Sequence, residues 1–254
     1  MAASFALTGQ VALVTGAARG LGRAVALNLA KAGADVALGL RDRSADGGLV
    51  AEIEAMGRRA LPLQMDVLDL PQAYAAIDEA IADFGRLDIL VNNAGGGTEG
   101  PIEDFPEDEF DFTIDFNVKS TFFISQYAGR HMIRRRTGSI VNMGSQAGAI
   151  ALPGEAIYCL SKAAVSHMTK CFAVEWGKHN VRVNCVAPTF FRTDGTSEAL
   201  GNPAFHADVL ERIAALHRIG EPDEVAGAVV FLCSDAAAMI TGHTLLIDGG
   251  WTAR

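Results

Sequence analysis

The sequence predicts an α/β fold, a doubly wound sheet of about seven parallel strands with helices on both faces. Three observations predict it. Short apolar runs alternate with longer helical patterns, without linker, internal repeat or low-complexity tract. Such alternation is the mark of a parallel sheet buried on both sides. The first apolar run leads directly into a glycine-rich turn and then a helical pattern. Finally, the chain has 254 residues, half of them hydrophobic, which suits one large α/β domain spanning 1–254 with a sizeable core.

The first strand is expected at 11–15, an apolar run closed by Gly16, and its helix at 21–32. The second strand, 36–40, ends in Gly39-Leu40-Arg41-Asp42 and precedes a helix at 44–56. Strand 60–64 delivers Asp66-Val67, and helix 71–84 follows. Strand 88–92 ends in Asn92-Asn93-Ala94-Gly95. A long helical stretch, 107–136, is broken near Asn117 and closes on Arg134-Arg135-Arg136, cations that are favoured at a helix C-terminus. Strand 138–143, helix 155–177, strand 181–187, helix 222–233 and strand 243–247 complete the alternation. Segment 188–217 departs from it, as a loop with a short helix around Pro203 to Leu216. It follows the carboxyl end of a strand, where open α/β sheets bind ligands, and is expected to be the substrate-binding loop.

Several classes are excluded. A formal net charge of -9 disfavours nucleic-acid binding, because phosphate contacts need a basic face. Apolar runs such as Ala226 to Cys233 fall far short of the roughly 20 residues that span a bilayer. The start, Met-Ala-Ala-Ser-Phe, has no basic n-region, so cytoplasmic residence is expected. Cys159, Cys171, Cys185 and Cys233 show no C-x-x-C pair or metal-ligand spacing and read as buried thiols of a reduced protein; no metal is expected.

Two patterns carry chemistry. Tyr158 and Lys162 are four residues apart, with Ser145 thirteen residues upstream. On a helix, positions four apart share a face about 6 Å apart along the axis. A lysine cation there favours the phenolate, which lets a phenol that titrates near 10 act as acid/base closer to neutrality. Ser145 can hydrogen-bond the same substrate oxygen. The second pattern is Gly16, Gly20 and Gly22 between strand and helix. Glycines there permit a tight turn and close backbone approach to a pyrophosphate seated on the helix N-terminus.

Thr15-Gly16-x-x-x-Gly20-x-Gly22, Asn92-Asn93-Ala94-Gly95, Asn117, Ser145 and Tyr158-x-x-x-Lys162 together resemble the short-chain dehydrogenase/reductase family, over essentially the whole chain. The resemblance implies a Rossmann-type fold and hydride transfer between a nicotinamide cofactor and a secondary alcohol or ketone. It implies Tyr158 as acid/base, Lys162 on the phenol and the nicotinamide ribose, Ser145 on the substrate oxygen and Asn117 anchoring a water. By the same resemblance the cofactor would meet Gly16, Arg19, Gly20, Leu21, Gly22, Arg41, Asp66, Val67, Asn93, Ala94, Gly95, Pro188, Phe191 and Thr193. Substrate contacts are expected from Ser145, Gln146, Tyr158 and Thr189. The family's acidic position at the second strand tip falls on Leu40, followed by Arg41, as in members that prefer NADP; Arg19 resembles their second basic residue. NADP is therefore favoured over NAD, although Asp42 could pair with Arg41 or repel phosphate. Where the family has Pro-Gly, this chain has Pro188-Thr189. Homotetramer assembly through the helices at 107–136 and 155–177 is also implied.

The favoured substrate is a small polar carbonyl or alcohol: a sugar, polyol or hydroxy acid, met by Gln146, Glu155, Thr189 and Arg192. A 3-oxoacyl carrier-protein reductase is a second possibility; Arg130 matches its first docking cation, but Val174 stands at the second. An apolar or steroid ketone, favoured by Leu152, Phe190 and Phe191, is a third. A non-catalytic dinucleotide-binding regulator is the alternative from another class.

Overall fold

The structure, a computed structural model, describes residues 4–253. Met1–Ala3, part of the stretch read for a missing leader, lie outside the described residues, as does Arg254.

Val11–Thr15 is buried along its whole length and forms β1. A strand without a polar face needs cover on both sides, and successive side chains supply two cores. Ala12 and Val14 point into a cluster with Val25, Leu29, Val225 and Val229. Val11 and Leu13 point into another, with Ile77, Ile124, Met132 and Phe172. The first cluster lies under α1 (Gly20–Lys31), α2 (Leu49–Ala55) and α9 (Pro222–Cys233). The second lies under α3 (Leu70–Phe84), α5 (Ser120–Arg135) and α6 (Ala156–Trp176).

The remaining strands are β2 (Asp35–Leu40), β3 (Ala60–Gln64), β4 (Ile89–Asn92), β5 (Gly138–Met143), β6 (Val181–Pro188) and β7 (Thr244–Ile247). Their order is β3-β2-β1-β4-β5-β6-β7, and each pairing is parallel. This is the expected seven-stranded α/β sheet. The order reverses between β1 and β4, so their carboxyl ends open a crevice at the switch point.

Helix ends follow local chemistry. Asp69 caps α3 by accepting from the Gln72 amide at 3.1 Å, and Gly85 ends it at φ 75. The helix expected over 44–56 begins only at Leu49. Gly47 and Gly48 hold φ of 58 and 80, left-handed values that a right-handed helix cannot continue through. The break expected near Asn117 is one π-helical turn, Asp115–Lys119, between α4 (Glu107–Ile114) and α5. Segment 188–217 carries two helices rather than one, α7 (Ser197–Gly201) and α8 (Pro203–Arg212). The thiols also divide: Cys185 and Cys233 are buried, but Cys171 is exposed and Cys159 only half-buried. A cysteine on a helix face away from the sheet has nothing to bury it.

Candidate active site

Gly16 and Gly20 turn the chain at φ 65 and 57, conformations strained for any residue with a β-carbon. Gly22 is needed for another reason: a β-carbon there would collide with the Gly16 carbonyl oxygen and Asn93 Nδ2. Asn93 in turn holds the loop from β4. Its Nδ2 donates to the Thr15 carbonyl at 2.9 Å, while Thr15 Oγ1 accepts from the Asn93 and Ala94 amides, each at 3.0 Å. The N-terminus of α1 has no side-chain cap and no acidic residue in its first turn. Its free amides and the cradle that β-carbons would fill together fit a pyrophosphate.

A cleft of about 540 Å³ runs along the crevice from this loop. At one end it is lined by Arg19, Leu40, Arg41, Asp66 and Val67. Asp42 does not reach for Arg41. Its carboxylate accepts from the Ser44 hydroxyl at 2.7 Å and amide at 2.9 Å, bonds that hold it below the usual carboxylate range. In the middle lie Gly16, Gly20, Leu21, Gly22, Asn93, Ala94 and Gly95. At the far end stand Ser145, Tyr158, Lys162, Pro188, Thr189 and Thr193.

Tyr158 and Lys162 project from one face of α6. Lys162 is buried, and its Nζ donates to the Met143 carbonyl at 3.0 Å. Gly95 leaves room for it, since a β-carbon there would sit 3.1 Å from Nζ and 2.8 Å from Asn117 Oδ1. Burial draws the ammonium down to about 8. It also pushes the phenol up to about 12, against a Ser145 hydrogen bond that lowers it and with help from the Glu155 charge that raises it. The lysine was expected to depress the phenol; in this pocket desolvation by burial is the largest influence on both groups, and the phenol is raised. Ser145 begins a short turn, donating to Gln146 Oε1 at 2.8 Å and accepting from the Ala147 amide at 3.1 Å.

Asn117 is buried in the π turn. Its Nδ2 donates to the Gly96 carbonyl at 2.7 Å and to Ser161 Oγ at 2.9 Å, and its Oδ1 accepts from the Gly96 amide at 3.0 Å. Ser161 passes the contact to the Tyr158 carbonyl at 2.8 Å. Asn117 thus ties the loop after β4 to the helix carrying Tyr158. Thr189 Oγ1 is buried without a hydrogen-bond partner on the cleft wall.

Four expected contacts, Gln146, Glu155, Phe191 and Arg192, stand outside the lining. Gln146 is buried behind Ser145. Phe191 is buried against Gly220. Leu152 and Phe190 pack into a small core with Ile213 and Trp251, which uses the apolar surface expected for a steroid. Arg192 pairs with Glu221 at 2.9 Å. Several residues were missed. Gly97 lies against the Tyr158 ring, where a β-carbon would sit 3.0 Å from Cδ2; Phe112, Phe116 and Thr196 also line the cleft. The run Gly95-Gly96-Gly97 was a signal for that close packing.

A crevice shaped for a pyrophosphate and leading to a Tyr–Lys–Ser group defines the class: a dinucleotide-dependent oxidoreductase. A family model described as "Enoyl-(Acyl carrier protein) reductase" matches residues 16–252. The chain belongs to the short-chain dehydrogenase/reductase family. It is 42% identical to D-threitol dehydrogenase of Mycolicibacterium smegmatis (strain ATCC 700084 / mc(2)155), over 98% of this chain and 95% of that protein. It is 39% identical to 2-dehydro-3-deoxy-D-gluconate 5-dehydrogenase of Escherichia coli (strain K12), over 99% of this chain and 98% of that protein. Among solved structures it resembles a gluconate 5-dehydrogenase from Burkholderia cenocepacia J2315 in complex with NADP and tartrate, with TM-score 0.94 and 35% identity over 98% of each chain.

Proposed function

We propose that the protein oxidises a secondary alcohol of a small polyhydroxylated substrate to the ketone, reversibly, with NADP preferred over NAD. The observation that carries this reading is the position of Tyr158, together with Ser145 and Lys162, at the end of the cleft that begins at the glycine loop. The residue types fit the cofactor: the α1 amides and Gly16, Gly20 and Gly22 would hold its pyrophosphate, Asp66 and Val67 its adenine end, and Arg19 and Arg41 a 2′-phosphate. When bound, the nicotinamide supplies the acceptor for the hydride that leaves the carbinol carbon. In that direction the Tyr158 phenolate takes the hydroxyl proton, and Ser145 holds the oxygen as the carbonyl forms. In reverse, the phenol gives the proton back. Lys162 adds positive charge beneath the phenol, and Asn117 fixes the helix that carries both. Segment 188–217 is proposed as the substrate loop.

The substrate class rests on relatives that act on threitol and on sugar acids, and on polar groups at the far end of the cleft. A carrier-protein reductase fits less well, because Val174, where a second docking cation would stand, is 83% exposed as an apolar side chain. We also propose a homotetramer, or at least a dimer, through α5 and α6, where Phe122, Leu160 and Val174 are exposed; light scattering at micromolar concentration tests it. Among the described residues no helix is long and apolar enough to cross a membrane. Cytoplasmic residence is proposed alongside, in keeping with four free cysteines, with cell fractionation as its test.

The deciding experiment is Tyr158→Phe, assayed on polyols and their ketones with NADP(H) and NAD(H). General acid–base catalysis contributes about 10²–10⁴-fold, so kcat should fall by that order while cofactor affinity stays close to wild type. Near-normal turnover would remove Tyr158 from the chemistry.

A further inference from the structure

We propose that the cleft selects an uncharged polyol and rejects sugar acids, through the carboxylates of Glu155 and Glu99, carried on two segments that meet beside Tyr158. The inference rests on Tyr158 as the acid/base and narrows the substrate class of that same site.

Glu155 sits at the N-terminal end of α6, three residues before Tyr158, half-buried. Its charge acts on the Tyr158 phenol, and the charge of Glu99 acts on Glu155. The backbone brings the two segments together. The Gly100 amide donates to the Gly154 carbonyl at 2.8 Å, fastening the loop that carries Glu99 to the turn that carries Glu155. Gly97, two residues before Glu99, packs on the Tyr158 ring. Thr98 Oγ1 donates to Glu109, which fixes the same loop to α4.

Nearby cations do not balance these charges. From Ala94 to Val118 the chain carries eight Asp and Glu and no Lys, Arg or His, so the whole loop and helix over the site are acidic. Between Met143 and Ser161 the one charged residue is Glu155. The arginines of the opposite segment are each paired: Arg192 with Glu221 at 2.9 Å, Arg212 with Asp208 at 2.7 Å, and Arg218 with Glu224 at 2.5 Å. Lys162 is buried against the Met143 carbonyl, and Arg19 and Arg41 lie at the other end of the cleft.

A substrate carboxylate entering here meets like charge, which works against wrong partners. A polyol meets acceptors. A carboxylate accepts hydrogen bonds from hydroxyls and cannot donate to another carboxylate. Thr189 lines the cleft itself and carries a hydroxyl without a hydrogen-bond partner.

The test compares kcat/KM for a four-carbon polyol and for the aldonate of the same length. It uses NADP⁺ at two ionic strengths, in wild type, Glu155→Gln and Glu99→Gln/Glu155→Gln. NADPH fluorescence titration verifies that the variants are folded. The wild type should favour the polyol by about tenfold or more, and salt should narrow the gap by screening. The double variant should move the ratio several-fold towards the aldonate, mainly through its KM. A wild type that prefers the aldonate overturns the inference, as does a ratio unmoved in the folded double variant. Should the variants fail to fold, a wild-type ratio independent of salt overturns it. Loss of both activities' dependence on Tyr158 overturns the inference together with the reading of the site, whereas aldonate preference with Tyr158 dependence intact overturns charge selection alone.

Discussion

Lys162 Nζ lies 5.6 Å from the centre of the Tyr158 ring while donating to the Met143 carbonyl at 3.0 Å. Burial drives the two groups towards their neutral forms, the ammonium down to about 8 and the phenol up to about 12. The pair therefore holds a charge only at a cost. Each positive charge brought to the phenol lowers its pKa, which is how Lys162 and the cationic ring of an oxidised nicotinamide would serve proton removal.

That cost should appear in stability. Lys162 titrates near 10.5 when exposed and near 8 in the fold. Its folded pKa is depressed, so burying the charge destabilises the protein fully below about pH 8, and the penalty fades as pH rises towards 10.5. Lys162→Met should then raise Tm at pH 7, with a gain that shrinks by pH 10, while kcat falls about 100-fold or more. The lost bond to Met143 works against the gain by about 1 kcal/mol. Calorimetry at both pH values checks the sign; a gain that grows with pH contradicts it.

Glu155 offers a second pH test. Its negative charge raises the Tyr158 pKa, so Glu155→Gln should lower it. Oxidation needs the phenolate, and its rate should reach half-maximum at lower pH in the variant. Reduction needs the phenol, and its alkaline decline should move the same way. Profiles of kcat/KM from pH 6 to 11 in both directions decide this. A merely structural role for Glu155 would lower the rate without moving either midpoint.

The sheet and the site were legible to different depths. Buried strands such as Val11–Thr15 announce themselves because each residue is apolar or small, whereas the order of the strands has no such local signal. The boundary of α2 was misread because Gly47 and Gly48 were passed over as helix interior. The spacing of Tyr158 and Lys162 indicated a shared helical face, but not that burial would dominate both groups. Gln146 and Phe191 have neighbours in the cleft, yet side-chain direction at a turn depends on packing from distant segments: Ser145 covers one and Gly220 receives the other. The bond from Gly100 to Gly154 joins residues far apart in sequence and leaves no local trace.

The proposed cofactor choice turns on the tip of β2. Leu40 is buried there, so the position that would accept a ribose hydroxyl holds no carboxylate. Asp42, two residues on, was the reason to doubt a phosphate site. Its carboxylate is engaged by the Ser44 hydroxyl and amide at 2.7 and 2.9 Å, and Arg41 and Arg19 remain on the cleft wall. With both arginines on a 2′-phosphate, NADP should be preferred over NAD, since charge-assisted bonds are the stronger kind and each is worth roughly tenfold or more in affinity. Arg41→Asp removes a cation and supplies an acceptor for the free ribose hydroxyl, so the preference should reverse. Ser44→Ala releases Asp42 and should weaken NADP binding by a smaller factor. The measurement is kcat/KM for both cofactors in wild type and each variant at one ionic strength, because exposed charges are screened. A wild type that prefers NAD would mean that Arg41 is solvated and that the strand tip, despite Leu40, does not read the phosphate.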